Sequence, residues 1–134
     1  MVAADTNVIV RFLTRDDSAQ AARAASLLSS RLVWISKTVL LETAWVLRSL
    51  YGFGVIEVNE ALKGFAGLSN VRVEDAMAVA SAFEWTAMGI DFADALHLAS
   101  SAGTNRFLTF DRRFVRRAKK LTGVRVAALY LPLP

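Results

Sequence analysis

Residues 1–13 read Met-Val-Ala-Ala-Asp-Thr-Asn-Val-Ile-Val-Arg-Phe-Leu, a short apolar run followed by a carboxylate and then by apolar residues at helical spacing. Val2–Ala4 has the length and character of a short buried strand, and Asn7–Leu13 has the pattern of a helix. A strand that leads directly into a helix is the repeating unit of parallel α/β folds. The carboxylate of Asp5 is therefore predicted to lie where a strand ends and a helix begins.

The same alternation continues along the chain, with further strands predicted at Leu32–Ile35, Val71–Val73, Arg106–Thr109 and Arg125–Leu129. The helices between them are predicted from Asp17 to Ser30, from Ser36 or Thr38 to Leu50, and over Val55–Phe65, Glu74–Met88, Asp91–Ser101 and Arg112–Lys120. This order predicts an α/β fold in which a short, mainly parallel β-sheet is flanked by helices. Residues 1–134 are expected to form a single domain.

The composition excludes several classes of protein and site. Apolar residues make up 54% of the chain and the mean hydropathy is +0.39, which is far from a disordered composition. The chain has no cysteine, which excludes disulfides and thiolate metal sites. No apolar run approaches the roughly 20 residues that span a bilayer, and the N-terminus does not resemble a signal peptide. These features favour a cytoplasmic protein that does not enter membranes.

Four acidic residues occupy equivalent positions in the predicted fold. Asp5 and Asp111 each follow a strand, Glu42 lies about one turn inside the helix after the second strand, and Asp94 lies in the first turn of the helix that precedes the Asp111 strand. Ligands of open parallel sheets bind beyond the carboxyl ends of the strands. We therefore expect these four carboxylates to meet in one pocket.

Clustered carboxylates repel one another, and a bound divalent cation removes that repulsion. A site built only from oxygen ligands selects Mg²⁺ or Mn²⁺ over Zn²⁺. Such an ion can activate water and stabilise charge on a phosphate during its transfer. The four acids together therefore predict phosphodiester chemistry, although an aspartate after a strand is, taken alone, usually a helix cap or a turn residue.

Two neighbouring residues are open to simpler explanations. Asp91 is a further carboxylate beside the predicted site, and its spacing before Asp94 favours a role as N-cap of the helix. His97 shares a helix face with Asp94, and we expect a partly buried histidine with a hydrogen bond rather than a catalytic group. No second histidine or cysteine exists to complete a zinc site with it.

Four segments of the chain resemble the signature segments of PIN-domain toxins of the VapC type. They are Asp5-Thr6-Asn7-Val8-Ile9-Val10-Arg11, Glu42-Thr43 within Thr38–Trp45, Asp91-Phe92-Ala93-Asp94-Ala95-Leu96-His97, and Thr109-Phe110-Asp111-Arg112-Arg113-Phe114. The segments come in the same order at fitting spacings and cover nearly the whole chain. The resemblance implies a three-layer PIN-like fold and a metal-dependent endoribonuclease that is inhibited by a cognate antitoxin protein.

The resemblance also assigns roles to individual residues. It implies that Asp5, Glu42, Asp94 and Asp111 form the catalytic metal site for Mg²⁺ or Mn²⁺, and that Thr6, Asn7 and Thr109 orient carboxylates or waters. It further implies a homodimer and a groove for an antitoxin helix. The apolar residues near the end of the Glu42 helix are candidates for part of that groove; they are Trp45, Leu47, Leu50, Tyr51 and Phe53.

The helix after Asp111 is strongly basic and predicts an RNA-binding flank beside the acids. Without the four site acids, the chain has 16 basic residues and only eight acidic ones. Cations on this helix suit a phosphate backbone, although a solvated helix face would have the same composition. The candidate RNA-binding residues are Arg112, Arg113, Arg116, Arg117 and Lys120.

The sequence fits two classes of aspartyl-phosphate protein poorly, and it leaves two further interpretations open. Phosphatases of the haloacid-dehalogenase type need Asp-x-Asp after the first strand, but position 7 is Asn7. Receiver domains need an acidic pair there, and Asp5 is followed by Thr6. A PIN-fold nuclease of RNA processing outside toxin–antitoxin systems, or a non-catalytic relative that binds RNA or a partner protein, would share the features described so far.

Overall fold

The computed structural model describes residues 1–121 and 123–129, so that Thr122 and residues 130–134 of the predicted domain lie outside the described residues. The strands are β1 (Val2–Ala3), β2 (Val33–Ile35), β3 (Val71–Val73), β4 (Phe107–Thr109) and β5 (Val126–Ala128). β1, β2 and β3 form a parallel sheet in that order, and β4 pairs in parallel with β5. The predicted parallel pairing is confirmed, in two short ladders.

Seven helices connect and cover these strands in the described part of the chain. Each parallel pairing needs a crossover, and helices supply it, as expected for an α/β fold. Within those residues, no helix has the length and apolar character that crossing a bilayer requires. The helices are α1 (Thr6–Thr14), α2 (Ser18–Ser30), α3 (Lys37–Ser49), α4 (Val55–Ala66), α5 (Ala76–Ala87), α6 (Phe92–Ser100) and α7 (Arg112–Ala118).

The core is built around β2, the central strand of the three-stranded sheet. Val33 and Ile35 are fully buried because β1 and β3 pair with β2 on both sides and helices cover its faces. Leu40 and Leu47 of α3 are buried in the same cluster, with Leu62 of α4. Each such side chain contributes roughly 1.5–3 kcal/mol through its removal from water. The core thus fixes α3, which carries Glu42, against the end of β2.

Two helix boundaries differ from the prediction by two residues. α5 begins at Ala76 rather than Glu74, because Asp75 adopts a left-handed conformation (φ 51°) as N-cap and Glu74 accepts a hydrogen bond from the backbone of Lys37, 2.9 Å away. α7 ends at Ala118 rather than Lys120. There the N–H of Lys120 bonds to the carbonyl of Arg117, three residues earlier, which closes the helix in a tighter turn.

A polar cluster joins the α1–α2 loop to the end of α3. Arg11 pairs with Asp16 at 3.2 Å and donates to the Tyr51 hydroxyl at 3.0 Å. That hydroxyl in turn donates to the other carboxylate oxygen of Asp16 at 2.5 Å. This cluster holds together elements that are 35 to 40 residues apart in the sequence.

Candidate functional site

Three of the predicted acids begin helices and accept hydrogen bonds from them. Asp5 caps α1 by accepting from Thr6 N–H at 2.7 Å, and Asp111 caps α7 by accepting from Phe114 N–H at 3.0 Å. Asp91 caps α6 by accepting from Asp94 N–H at 3.3 Å, so that the N-cap role expected for it is confirmed. Each carboxylate uses one oxygen in this bond, which leaves the other oxygen for a further ligand.

Asp94 lies in the first turn of α6, where it is half-buried. Burial raises its pKa because it disfavours the charged form, and the negative charges of Asp91 and then Asp111 raise the pKa further. The positive charge that His97 can carry lowers this pKa. Asp91, Asp94 and Asp111 therefore form one electrostatic group at the starts of α6 and α7.

Glu42 projects from α3 into a cavity of about 1150 Å³ that Asp91 also lines. We call it the acidic cavity. Its walls come from α3, from the start of α4, from the turn between α5 and α6, and from α7. The residues that line it include Glu42, Trp45 and Arg48 of α3, Ile56 and Asn59 of α4, Gly89 and Asp91 of the α5–α6 turn, and Arg117 of α7.

The predicted meeting of four acids is present only in part in the geometry. Asp94 and Asp111 lie in one electrostatic group, while Glu42 shares a cavity with Asp91. Asp5 lies at the same edge of the three-stranded sheet as the start of α3, because β1 and β2 are parallel neighbours. Over residues 1–121 and 123–129, no three acidic or histidine side chains are arranged as a ready ligand set.

Mutual repulsion and helix capping both explain this spacing. Like charges are unfavourable at ligand distances, and each capping carboxylate is turned toward the N–H groups of its own helix. The donor chemistry nevertheless fits a hard dication, since all four groups are carboxylates. Mg²⁺ keeps several waters and needs one or two protein carboxylates. A cation bound there would offset the negative charges of Asp91 and Asp111, which add to burial in raising the pKa of Asp94.

The predicted orienting residues differ in what they contact. The hydroxyl of Thr109 accepts a hydrogen bond from the backbone N–H of Asp111 at 3.0 Å, which fixes the start of α7 after β4. Thr6 is buried beside Asp5, and Asn7 is exposed next to it. His97 is exposed, so the expectation of a partly buried histidine was wrong. The helix periodicity that placed it beside Asp94 does not reveal which face meets solvent.

The basic residues after Asp111 are exposed. Arg112, Arg113, Arg116 and Arg117 all lie on α7, whereas Lys120 lies beyond its end. The predicted helix therefore ends before Lys120, the last of the candidate RNA-binding residues. Arg117 donates to the carbonyl of Gly89 at 3.1 Å and so reaches the wall of the acidic cavity.

Two features of the cavity were not singled out in the sequence. Arg48 lines it from α3, three residues after Trp45 and six after Glu42. Asn59 is buried and donates to the carbonyl of Phe83 at 3.0 Å, while its own carbonyl oxygen meets no partner among the described residues. Trp45, one of the candidates for the antitoxin groove, is 60% exposed.

Comparison with known proteins identifies the family. No significant match was found among curated proteins or among solved structures. Residues 2–120 match the PIN domain, a range that includes every predicted site residue and all elements from β1 to α7. The short parallel sheets and seven described helices agree with a three-layer PIN-like fold. The chain belongs to the PIN domain family, whose fold is of the nuclease type.

Proposed function

We propose that this chain is an endoribonuclease that uses Mg²⁺ or Mn²⁺ to hydrolyse RNA phosphodiester bonds, and that it is the toxin of a toxin–antitoxin pair. The observation that carries the nuclease proposal is the electrostatic group of Asp91, Asp94 and Asp111 next to the acidic cavity. An accumulation of negative charge in a partly buried place is unfavourable for the fold alone. It is useful if a cation is bound there.

Asp5, Glu42, Asp94 and Asp111 are the residues that would hold the ion. When bound, a divalent cation lowers the pKa of water and neutralises charge that develops on the phosphate. The chain's own residues do the positioning: Asp5 and Asp111 are oriented by the N–H groups they cap, and Thr109 fixes the backbone of Asp111. Glu42 brings a carboxylate to the cavity from α3.

The RNA proposal rests on the charge around these acids. α7 begins with Asp111 as its cap and presents four arginines to solvent within two turns. Cations beside a cluster of acids attract the phosphate backbone and hold it near groups that would otherwise repel it. Arg112, Arg113, Arg116, Arg117 and Lys120 are proposed to bind RNA in this way.

The partner proposal rests on exposed apolar side chains. Trp45, Leu50 and Ile56 are each at least 60% exposed, and Trp45 and Ile56 line the acidic cavity. Exposed apolar patches of this kind mark protein interaction sites. We propose that an antitoxin covers this surface and keeps RNA from the acids, and that a homodimer buries further apolar surface.

The decisive experiment compares RNA cleavage by the wild-type chain and by Asp94→Asn, with Mg²⁺, with Mn²⁺ and with EDTA. We expect cleavage only by the wild type and only with an ion, because the amide removes the charge that attracts the ion. Asp17→Asn, at the cap of α2, is the matched control, since it makes the same chemical change away from the cavity. Equal cleavage by wild type and Asp94→Asn would contradict the proposal.

The toxin role needs a separate test in cells. Expression of the wild-type chain is expected to stop growth, and expression of Asp94→Asn is not. Co-expression of a small DNA-binding protein encoded beside this chain should restore growth. Purified nuclease activity without growth arrest would instead favour a PIN nuclease of RNA processing, and RNA binding without cleavage would favour a non-catalytic relative.

A further inference from the structure

Two arginines from distant parts of the chain line the acidic cavity together with Glu42 and Asp91. Arg117 belongs to the basic helix α7, but Arg48 lies on α3, six residues after Glu42. Six residues of helix rise about 9 Å, so Arg48 extends the line of α3 away from the acid. The lining of the cavity thus contains two cations and two carboxylates, which come from α3, from α7 and from the α5–α6 turn.

Arg117 is held in place by a contact that leaves most of its donors available. Its Nη1 donates to the Gly89 carbonyl at 3.1 Å, at the turn where α5 ends, two residues before Asp91. A guanidinium has five N–H donors in a planar fork that matches phosphate oxygens. One bond to Gly89 therefore orients the group without using up its capacity for a phosphate.

Trp45 supplies an aromatic ring to the cavity wall, among side chains that are mostly apolar. Trp45 lies one turn from Glu42 on the same face of α3 and is 60% exposed, which leaves its ring accessible to an unstacked base. Stacking of bases on aromatic rings and contact of phosphates with basic groups are the usual means of binding single-stranded nucleic acid.

We propose that Arg48 and Arg117 each bind a phosphate of one RNA strand, so that the strand crosses the acidic cavity past Glu42 and Asp91. The inference rests on the proposed RNA substrate, and it adds Arg48 to the binding surface and gives the strand a path across it. These two arginines line the cavity, whereas Arg116 of α7, for example, does not.

The test measures RNA binding in EDTA, so that no cleavage is involved. A labelled single-stranded oligonucleotide of mixed sequence is titrated at several salt concentrations with the wild type, Arg48→Gln, Arg117→Gln and the double variant. Each lost phosphate contact should reduce the slope of log K against log salt by about 0.7, and both losses by about 1.4. For a variant that lacks one contact, the fall in affinity between 50 and 200 mM salt should be about 2.6-fold smaller than for the wild type.

Three controls make the result specific. Arg23→Gln, on the exposed face of α2, removes the same charge away from the cavity and should leave the slope unchanged. Arg48→Lys retains the charge and should restore the wild-type slope. Thermal melts of all variants establish that they fold alike.

An unchanged slope in Arg48→Gln, or no RNA binding by the wild type, would overturn the inference. If Arg48→Gln binds RNA normally but fails to bind the neighbouring antitoxin, Arg48 belongs to a protein interface and the RNA path is wrong. The nuclease proposal is judged separately, by cleavage with Mg²⁺ or Mn²⁺. A reduced slope in the variants, with no cleavage by the wild type, supports the RNA path and rejects the nuclease proposal. Cleavage by the wild type, with an unchanged slope in the variants, supports the nuclease proposal and rejects the RNA path.

Discussion

The backbone N–H of Asp94 donates a 3.3 Å hydrogen bond to the carboxylate of Asp91, which places two acids at the start of α6. The N-terminus of a helix favours negative charge, and Asp91 uses it as a cap. The charged form of Asp94 is less favoured, because burial raises its pKa and the charges of Asp91 and then Asp111 raise it further. One acid therefore stabilises the helix, while the other is held in an environment that disfavours its charge.

The first prediction concerns stability in the absence of metal. Because the folded-state pKa of Asp94 lies above its unfolded value, the folded chain binds the proton more tightly. The stability that Asp94 contributes is then highest at low pH and falls as the pH rises through the interval between the two pKa values. We expect Asp94→Asn in EDTA to be more stable than the wild type at pH 7, by less than about 1 kcal/mol because solvent screens the partly exposed group.

Urea unfolding at several pH values checks this, with Asp17→Asn as the control for loss of one negative charge at a helix start. At pH values above the raised pKa, the gain in stability from Asp94→Asn should be constant. At pH values below the unfolded pKa of about 3.8, this gain should vanish. A destabilised Asp94→Asn at neutral pH would mean that the carboxylate serves the fold.

The second prediction separates capping from metal binding. Asp91→Asn retains the cap, since asparagine is as good an N-cap as aspartate, and removes one of the charges that raise the pKa of Asp94. We expect this variant to keep RNA cleavage within about tenfold of wild type, the mild end of the range for groups that only surround a metal site. Asp111→Asn also keeps its cap. It should nevertheless lose cleavage almost entirely.

The measurement is single-turnover cleavage at saturating Mg²⁺, with NMR titration of the Asp94 carboxyl in the metal-free protein. Asp91→Asn should lower the pKa of Asp94 toward its usual value. If Asp91→Asn were as inactive as Asp111→Asn, Asp91 would be a ligand of the ion and its assignment as a cap would be incomplete.

The third prediction concerns Thr109, whose hydroxyl accepts from the backbone N–H of Asp111. Thr109→Val keeps the branched shape and the strand preference but removes the acceptor. We expect a 10–100-fold loss of metal affinity or cleavage, as is usual when a group that orients a ligand is removed. Mg²⁺ dependence of the rate measures it. Thr104→Val, which removes a hydroxyl from the loop before β4, should leave that dependence unchanged.

Local patterns predicted the elements because strand and helix starts are encoded by neighbouring residues. Asp5, Asp17, Asp91 and Asp111 each precede a helical pattern, and each is a cap in the structure. The helix after β3 began two residues late because Asp75 took a left-handed conformation and Glu74 bonded to Lys37, which is 37 residues away in the sequence. Such a distant contact has no local signal.

The sequence predicted the family and the strand or helix ends at which the acids lie, but not how their side chains are arranged relative to one another. Sequence position gives the strand end at which an acid lies, while the oxygen atoms are oriented by capping bonds and by repulsion. Arg48 was not predicted because it is an isolated cation in a mainly apolar helix, whereas the basic residues after Asp111 are contiguous in the sequence. The apolar cluster that contains Trp45 and Leu47 could not be divided into core and surface from the sequence, and the structure buries Leu47 but leaves Trp45 60% exposed.

The last prediction concerns Asp16, which does not line the acidic cavity and belongs to the cluster with Arg11 and Tyr51. The hydrogen bond from Tyr51 lowers the pKa of Asp16 most, followed by the bond from Thr14, and Arg11 lowers it further. Since the folded-state pKa of Asp16 lies below its unfolded value, the charged carboxylate stabilises the folded chain at pH values above the unfolded pKa. This stabilisation is lost as the pH falls through the folded pKa.

Tyr51→Phe removes the hydroxyl and keeps the ring, which stacks on Phe53 with centroids 5.9 Å apart. We expect the pKa of Asp16 to rise toward its usual value, and the variant to be less stable than the wild type at pH 7 but to approach it in acid. Thr14→Val, which removes the second bond, should shift the pKa in the same direction by a smaller amount. NMR titration of Asp16 and acid unfolding measure both effects. A stability difference that stays constant from pH 7 down to pH 2 would show that Tyr51 acts through packing and the Arg11 contact, because the charge on Asp16 would then contribute nothing.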